Sequence, residues 1–236
     1  MKVAIINFSG NVGKTTVAKQ LLAPRMKAPE FAVETINAGA SDERGDTERL
    51  KGKQFGDLQE QLLALDAAIV DIGASNVEEF VKLMGQFHGS HEDFDYFVVP
   101  TVKEKKQQAD TINTIKTLAT LGVPAAKIRV VFNKVDPDDA GDLKSDFGAL
   151  FGFHALESKF TLNSANVIFS NEVFERLRAL KTDLARLTTD ETDYRAALRD
   201  AKDEDAKQLA IHMISAKRLA GSANKNLDDV YAALFN

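Results

Sequence analysis

The sequence predicts a doubly wound α/β fold: a mostly parallel sheet with helices on both faces, followed by a helical C-terminal region. Three observations carry this expectation. Five short apolar runs alternate with helix-compatible segments, and the first run ends in a glycine-containing loop that leads straight into a helix. After about Asp136 the alternation gives way to apolar stripes at helical spacing.

The first run is Val3 to Ile6, and Phe31 to Ile36, Ala67 to Ile72, Phe94 to Val99 and Ile128 to Phe132 follow. Each is rich in Val, Ile or Phe and ends at turn or polar residues, as strands buried on both faces do. Between them lie Thr15 to Ala23, Gln54 to Leu65, Val77 to Phe87 and Gln107 to Leu121, all compatible with helices. In the last, Ile112, Ile115 and Ala119 share a face, and Gly122 and Pro124 stop the helix. Further on, Val173, Leu177, Leu180, Leu184 and Leu187 alternate four and three apart, the stripe of one amphipathic helix. Thr188 to Asp193 reads as a polar connection. Ala206, Leu209, Ala210, Met213 and Ile214 form another helical face, which Gly221 to Asn226 is expected to break. Leu227, Val230, Tyr231, Leu234 and Phe235 then make a last short helix.

Composition sets outer bounds. The chain has 236 residues, 44% of them hydrophobic and 28% charged, so it can bury a substantial core. Its net charge of −5 supplies no global field toward nucleic acid; any DNA contact must come from a local patch or a partner. With no cysteine, disulfides and thiolate metal sites are excluded. His88, His91, His154 and His212 lack metal-ligand spacing. No signal-peptide pattern and no bilayer-length apolar stretch are seen, so a cytoplasmic location without membrane contact is expected.

The chemistry is concentrated where the first strand ends, in Asn7-Phe8-Ser9-Gly10-Asn11-Val12-Gly13-Lys14-Thr15-Thr16. Phosphate binding requires several backbone N–H groups turned inward at a tight turn, where glycines such as Gly10 and Gly13 relieve obstruction. Lys14 can reach the β- and γ-phosphates, and Thr15 can offer its hydroxyl to magnesium. The helix N-terminus adds partial positive charge. The loop therefore reads as a P-loop for a nucleoside triphosphate with Mg2+, its cradle formed by Gly10, Asn11, Val12, Gly13, Lys14, Thr15 and Thr16. The strict pattern has glycine where Phe8 stands.

Two further strand ends face the same crevice in such a sheet. Ala67 to Gly73 is an apolar strand closing in Asp71-Ile72-Gly73, and Asp71 can hold the magnesium directly or through water. Asn133-Lys134-Val135-Asp136 follows the fifth strand. The Asn133 amide can pair with a purine edge and the Asp136 carboxylate with guanine, which reads as GTP recognition. The same residues also read as a strand end entering an Asp-Pro turn.

Together these residues resemble the ParA/MinD group of P-loop ATPases, whose deviant Walker A loop typically reads Asn-x-Lys-Gly-Gly-Val-Gly-Lys-Thr-Thr. That group also tolerates a non-glycine at the Phe8 position. Asp71 to Gly73 is similar to its second switch, and Val98-Val99-Pro100-Thr101 to the segment that follows. The resemblance covers residues 1–136. It implies a P-loop NTPase fold, with a nucleotide-binding core over 1–170 and a helical extension over 171–236 packed on the core or a partner. It implies ATP with Mg2+ as ligands, with GTP as the alternative, and Asn133 as an adenine contact. Lys14 and Asp71 become the catalytic set, with Thr15 and Asp71 on the metal. The role implied is a slow ATPase switch in plasmid partition, stability or positioning, working with a DNA-binding partner protein and as a nucleotide-dependent homodimer. Other readings are a GTP-dependent switch and a non-hydrolysing adaptor.

The departures are specific. The group's signature lysine is Ser9 and its second glycine is Asn11. Asn37 to Ser41 stands where the first switch aspartate is expected, and Asp42 is the nearest carboxylate able to orient water. Lys103, Lys105 and Lys106, and separately Lys217 and Arg218, are the local basic residues available for a weak DNA contact. Asp228 and Asp229 on the last helix argue against an anionic lipid surface.

Overall fold

A computed structural model of the chain describes residues 1–33 and 44–235. Six strands form one sheet, all parallel, in the order β2-β3-β1-β4-β5-β6. These are β1 (Lys2–Ile5), β2 (Glu30–Val33), β3 (Ala68–Ile72), β4 (Tyr96–Thr101), β5 (Ile128–Val135) and β6 (Val167–Phe169). Parallel neighbours require crossovers, and helices supply them. The first is α1, residues 14–26, whose Val17–Leu22 stretch is wound in wide π turns. Next come α2 (Arg44–Leu63), α3 (Val77–Gln86), α4 (Lys105–Thr120), α5 (Leu143–Asp146) and α6 (Gly148–Glu157). The C-terminal region holds α7 (Val173–Ala179), α8 (Leu184–Thr189), α9 (Tyr194–Arg199) and α10 (Glu204–Phe235).

Alternation along the strands divides the core in two. Val3, Ile5, Ile69, Val98, Val131 and Ile168 face one side, against Val17 and Leu21 of α1, Val173, Leu177, Leu184 and Leu187 of α7 and α8, and Leu227, Val230 and Leu234 of α10. Ala4, Ile6, Val70, Ile72, Phe97, Val99, Val130 and Phe132 face the other, under α2, α3, α4 and α6. There Phe55, Phe80, Phe94 and Phe97 form a chain of ring contacts, the first two edge-on and the last tilted, with centroids 5.3, 6.5 and 5.2 Å apart. Such side chains contribute roughly 1.5–3 kcal/mol each when fully buried.

The C-terminal region thus closes one face of the sheet. Alanines at 216, 220 and 223 lie on the buried side of α10, which packs along α1. Arg25 clasps the two: its guanidinium donates to the Gln20 and Leu21 carbonyls, both at 3.0 Å, and pairs with Asp228 at 2.7 Å. Asn226 joins α10 to β6 by accepting from Phe169 N–H at 3.0 Å and donating to the Val167 carbonyl at 2.8 Å.

Several element expectations are corrected. The expected second strand is described only to Val33. The single helix expected over Val173 to Leu187 is two, because Lys181 takes the left-handed region at φ 49° and Asp183 then caps α8 by accepting from Arg186 N–H at 2.8 Å. The break expected at Gly221 to Asn226 is absent: α10 is one helix of 32 residues. The modest cost of one exposed glycine is outweighed by the buried stripe through Ala220, Ala223 and Leu227. The stripe starting at Ala206 is displaced, since Leu209 is 54% exposed while Ala210 and Ala216 are buried. β6 is a sixth strand, too short to show as a separate run.

Candidate phosphate-binding site

Strand order reverses at β1, with β3 on one side and β4 on the other. That reversal opens a crevice beyond the carboxyl ends of the strands, the usual ligand position in such sheets. The loop between β1 and α1 stands at that end of the sheet. Its root is fixed by buried polar groups: the Asn7 amide donates to the Pro100 carbonyl at 2.9 Å and to Thr111 Oγ1 at 2.8 Å, and its Oδ1 accepts from Ser9 N–H at 2.7 Å. Phe8 N–H donates to Thr114 Oγ1 at 3.1 Å. The face of α4 toward the loop is therefore polar, with Gln108, Thr111 and Thr114 buried beside Ile115 and Leu118.

The loop alternates in hand, with Asn11 at φ 59° and Gly13 at φ 93°. A Cβ on Gly13 would meet Asn133 Nδ2 at 2.0 Å, whereas one on Gly10 would meet nothing within 4 Å. Of these two glycines, the fold's own packing demands only Gly13. Val12 is fully buried, and its carbonyl accepts from Asn133 Nδ2 at 2.8 Å. Lys134 Nζ donates to the Asn11 carbonyl at 3.1 Å.

Lys14 opens α1 and is 7% exposed. Its ammonium folds back over the loop, donating to the Asn7 carbonyl at 3.0 Å and the Ser9 carbonyl at 2.7 Å. Burial pulls its pKa below the ordinary 10.5, with the Asp71 carboxylate opposing that pull. Thr15 Oγ1 donates to Asp71 Oδ2 at 2.8 Å. Thr16 lies half-buried in the same turn. Gly73 N–H is tied to the Val33 carbonyl at 2.9 Å.

The structure thus brings Gly10, Asn11, Val12, Gly13, Lys14, Thr15, Thr16, Asp71 and Asn133 together. Asp42, and the segment Asn37 to Ser41, lie outside the described residues. Asp136 turns its Oδ1 to Asp138 N–H at 3.0 Å and caps the short turn Pro137–Asp142, as the Asp-Pro reading expects. Ser9 is buried at 6% exposure. Lys103, Lys105 and Lys106 are exposed at the start of α4, while Lys217 donates to the Asp190 carbonyl and lies 5.4 Å from the Tyr194 ring centre. Sequence reading quoted Asn7 and Lys134 within their motifs without giving either a role, and it missed Thr111 and Thr114. The one signal for the threonines is a polar stripe, Gln108, Thr111 and Thr114, on the buried side of α4.

The Thr15 hydroxyl and Asp71 carboxylate are hard oxygen donors in hydrogen-bond contact, a pair that suits magnesium. Among the described residues no group of three or more His, Cys, Asp or Glu gathers to hold a metal ion. Magnesium commonly keeps waters and takes phosphate oxygens beside one or two protein ligands, so a site of this kind would hold it through Thr15 and Asp71. No helix among the described residues is long and apolar enough to cross a membrane.

No family model and no curated protein matches the chain. Solved structures do. The Cyanothece McdA(D38A)–ATP complex matches with a TM-score of 0.54 at 14% identity, over 93% of this chain and 96% of that one. A chain of the MinC:MinD cell division protein complex of Aquifex aeolicus matches with a TM-score of 0.51 at 14% identity, over 93% of this chain and 95% of that one. The pnob8 ParA structure gives 0.50 at 11% identity, over 96% and 97%. The fold is therefore the P-loop NTPase fold that these ParA/MinD-type proteins share, and the match runs through the helical C-terminal region.

Proposed function

We propose that this chain is a ParA-like ATPase, a nucleotide-dependent switch in plasmid partition, stability or positioning of DNA, acting in the cytoplasm. The observation that carries this is the Thr15–Asp71 pair at 2.8 Å beside the buried Lys14, at the switch point of the sheet. In this reading residues 1–170 are the nucleotide-binding core and 171–236 a helical extension packed on it. Within the group, the short form and helical tail resemble the plasmid-stability protein StbB most.

Each residue has a defined task. Lys14 leaves the Asn7 and Ser9 carbonyls and turns its ammonium to the β- and γ-phosphates. The backbone amides from Gly10 to Thr15 and the start of α1 bind the same oxygens. Thr15 and Asp71 hold the metal, which neutralises charge on the phosphates when bound. Asp71 is continuous with Gly73, whose N–H holds the end of β2, so a change at Asp71 reaches that strand. Ser9 cannot supply the charge that the signature lysine brings, and hydrolysis is slow, well below about 1 per second, serving as a timer. Lys103, Lys105 and Lys106 are the surface for a weak, salt-dependent DNA contact, with a DNA-binding partner protein supplying the specific one.

Sedimentation with ATP, GTP, ADP and no nucleotide, each with magnesium, tests the proposal. ATP is expected to drive association that ADP does not, and Lys14→Ala to abolish it. Preference for GTP in a direct titration would replace this reading with a GTP-dependent switch. Full activity of Lys14→Ala in the cell would replace it with a nucleotide-independent adaptor, and a turnover of many per second would remove the timer.

A further inference from the structure

We propose that Thr111 and Thr114 of α4 are positioning residues of the phosphate site, given the reading that the loop binds a triphosphate. Their hydroxyl oxygens fix the turn at residues 7–9 and, through it, the two carbonyls that seat the Lys14 ammonium.

A helix that only packs on a sheet needs an apolar stripe on that side. α4 instead buries Gln108, Thr111 and Thr114 there. Its threonines give their protons to their own helix. Thr111, Thr114, Thr117 and Thr120 donate to the carbonyls four residues back, at 2.7, 2.8, 2.8 and 2.9 Å. A carbonyl cannot donate, so each hydroxyl proton lies in that contact and the oxygen keeps its capacity to accept. Thr111 Oγ1 accepts from Asn7 Nδ2 at 2.8 Å and meets the Thr101 hydroxyl at 3.1 Å. Thr114 Oγ1 accepts from Phe8 N–H at 3.1 Å. Among the described residues neither Thr117 nor Thr120 bonds the loop, although both are back-bonded in the same way.

These acceptors decide how the loop begins. Asn7 gives both protons of its amide, one to Thr111 and one to the Pro100 carbonyl, so its Oδ1 is left to face Ser9 N–H at 2.7 Å. That closes an Asx turn over residues 7–9. The Phe8 and Ser9 amides are thereby used inside the protein, and the amides open to phosphate begin at Gly10. The same turn carries the Asn7 and Ser9 carbonyls, which hold Lys14 Nζ at 3.0 and 2.7 Å. A valine at 111 keeps the shape of the side chain but removes its oxygen, leaving the buried Asn7 amide short of an acceptor. The turn is then free to rotate, and Lys14 loses its fixed seat beside the cradle. A loop held in one form before binding spares the ligand the cost of ordering it.

The test is calorimetric titration with ATP and ADP, each with magnesium, and melting temperatures measured alongside. Thr111→Val is expected to weaken both nucleotides by about tenfold, as for one lost buried hydrogen bond. Thr114→Val is expected to weaken them by a smaller factor, since its bond to the loop is longer. Thr111→Ser and Thr114→Ser keep the oxygen and are expected to restore binding. Thr117→Val and Thr120→Val are expected to bind as the wild type does. Ile115→Val trims the same buried face without removing a polar contact, and it is expected to lower the melting temperature and leave affinity unchanged. Where Thr111→Val does not fold, the Thr114 pair decides. Unchanged affinity in both valine variants at 111 and 114 overturns the proposal while leaving the nucleotide reading intact. An equal loss in Ile115→Val, or serine variants that restore nothing, overturns it in the same way. A wild-type chain that binds neither nucleotide overturns both.

Discussion

Lys14 carries its charge under tension between burial and contact. It is 7% exposed, and that burial holds its pKa below 10.5 against the attraction of Asp71. A phosphate arriving at the loop favours the ammonium, so binding raises the pKa and stabilises the proton. The sign follows: below the free protein's pKa the charge is already present and affinity is flat. As pH rises through that value affinity falls, by at most about tenfold per unit. The decline starts at a lower pH than for an ordinary lysine. ATP titrations from about pH 7.5 to about pH 10 read this directly, and residual binding by Lys14→Ala is expected to stay flat. Lys14, Thr15 and Asp71 were legible in the sequence because each stands beside the strand end that places it. Thr111, Thr114 and Lys134 were not, because they meet the loop across separations of 104, 106 and 123 residues. Asn133 was legible as a polar group at the crevice and read there as a purine contact; its bond to the Val12 carbonyl spans 121 residues and was not legible.

At the scale of elements, the strands and the helices between them followed from their apolar runs, because a parallel sheet buries both faces and marks its strands continuously. The C-terminal region followed less closely. Its stripes were visible, but a stripe does not say where a helix ends. Lys181, with no glycine to announce it, ends one, and Gly221 does not end another. Gly221 gives a direct test. It is exposed in the interior of α10, and a Cβ built there meets nothing within 4 Å. Gly221→Ala is therefore expected to stabilise the protein by about 1 kcal/mol. For a chain of this size that is about 2–4 °C in melting temperature. No change, or a loss, would mean that the helix is interrupted at this point.

For the whole molecule, the question is whether the C-terminal helices are an appendage or part of the core. The same cluster holds Val3, Ile5 and Ile69 from the sheet and Leu227, Val230 and Leu234 from α10. Deleting residues 204–236 removes those three side chains, each worth roughly 1.5–3 kcal/mol of burial, and uncovers what they pack against. It also removes the Asp228 partner of Arg25 and the Asn226 bridge to β6. The loss is comparable with the roughly 5–15 kcal/mol that holds a typical domain together. The truncated chain is thus expected to lose its cooperative thermal transition and to aggregate, although the whole phosphate loop remains in it. The single change Leu227→Ala, which leaves the helix in place, is expected to cost about 2–5 kcal/mol in a denaturant melt. A helix that served only to hold a partner would give the opposite result. The shortened chain would melt as sharply as the full one and still bind nucleotide, and residues 204–236 would then be a separable extension.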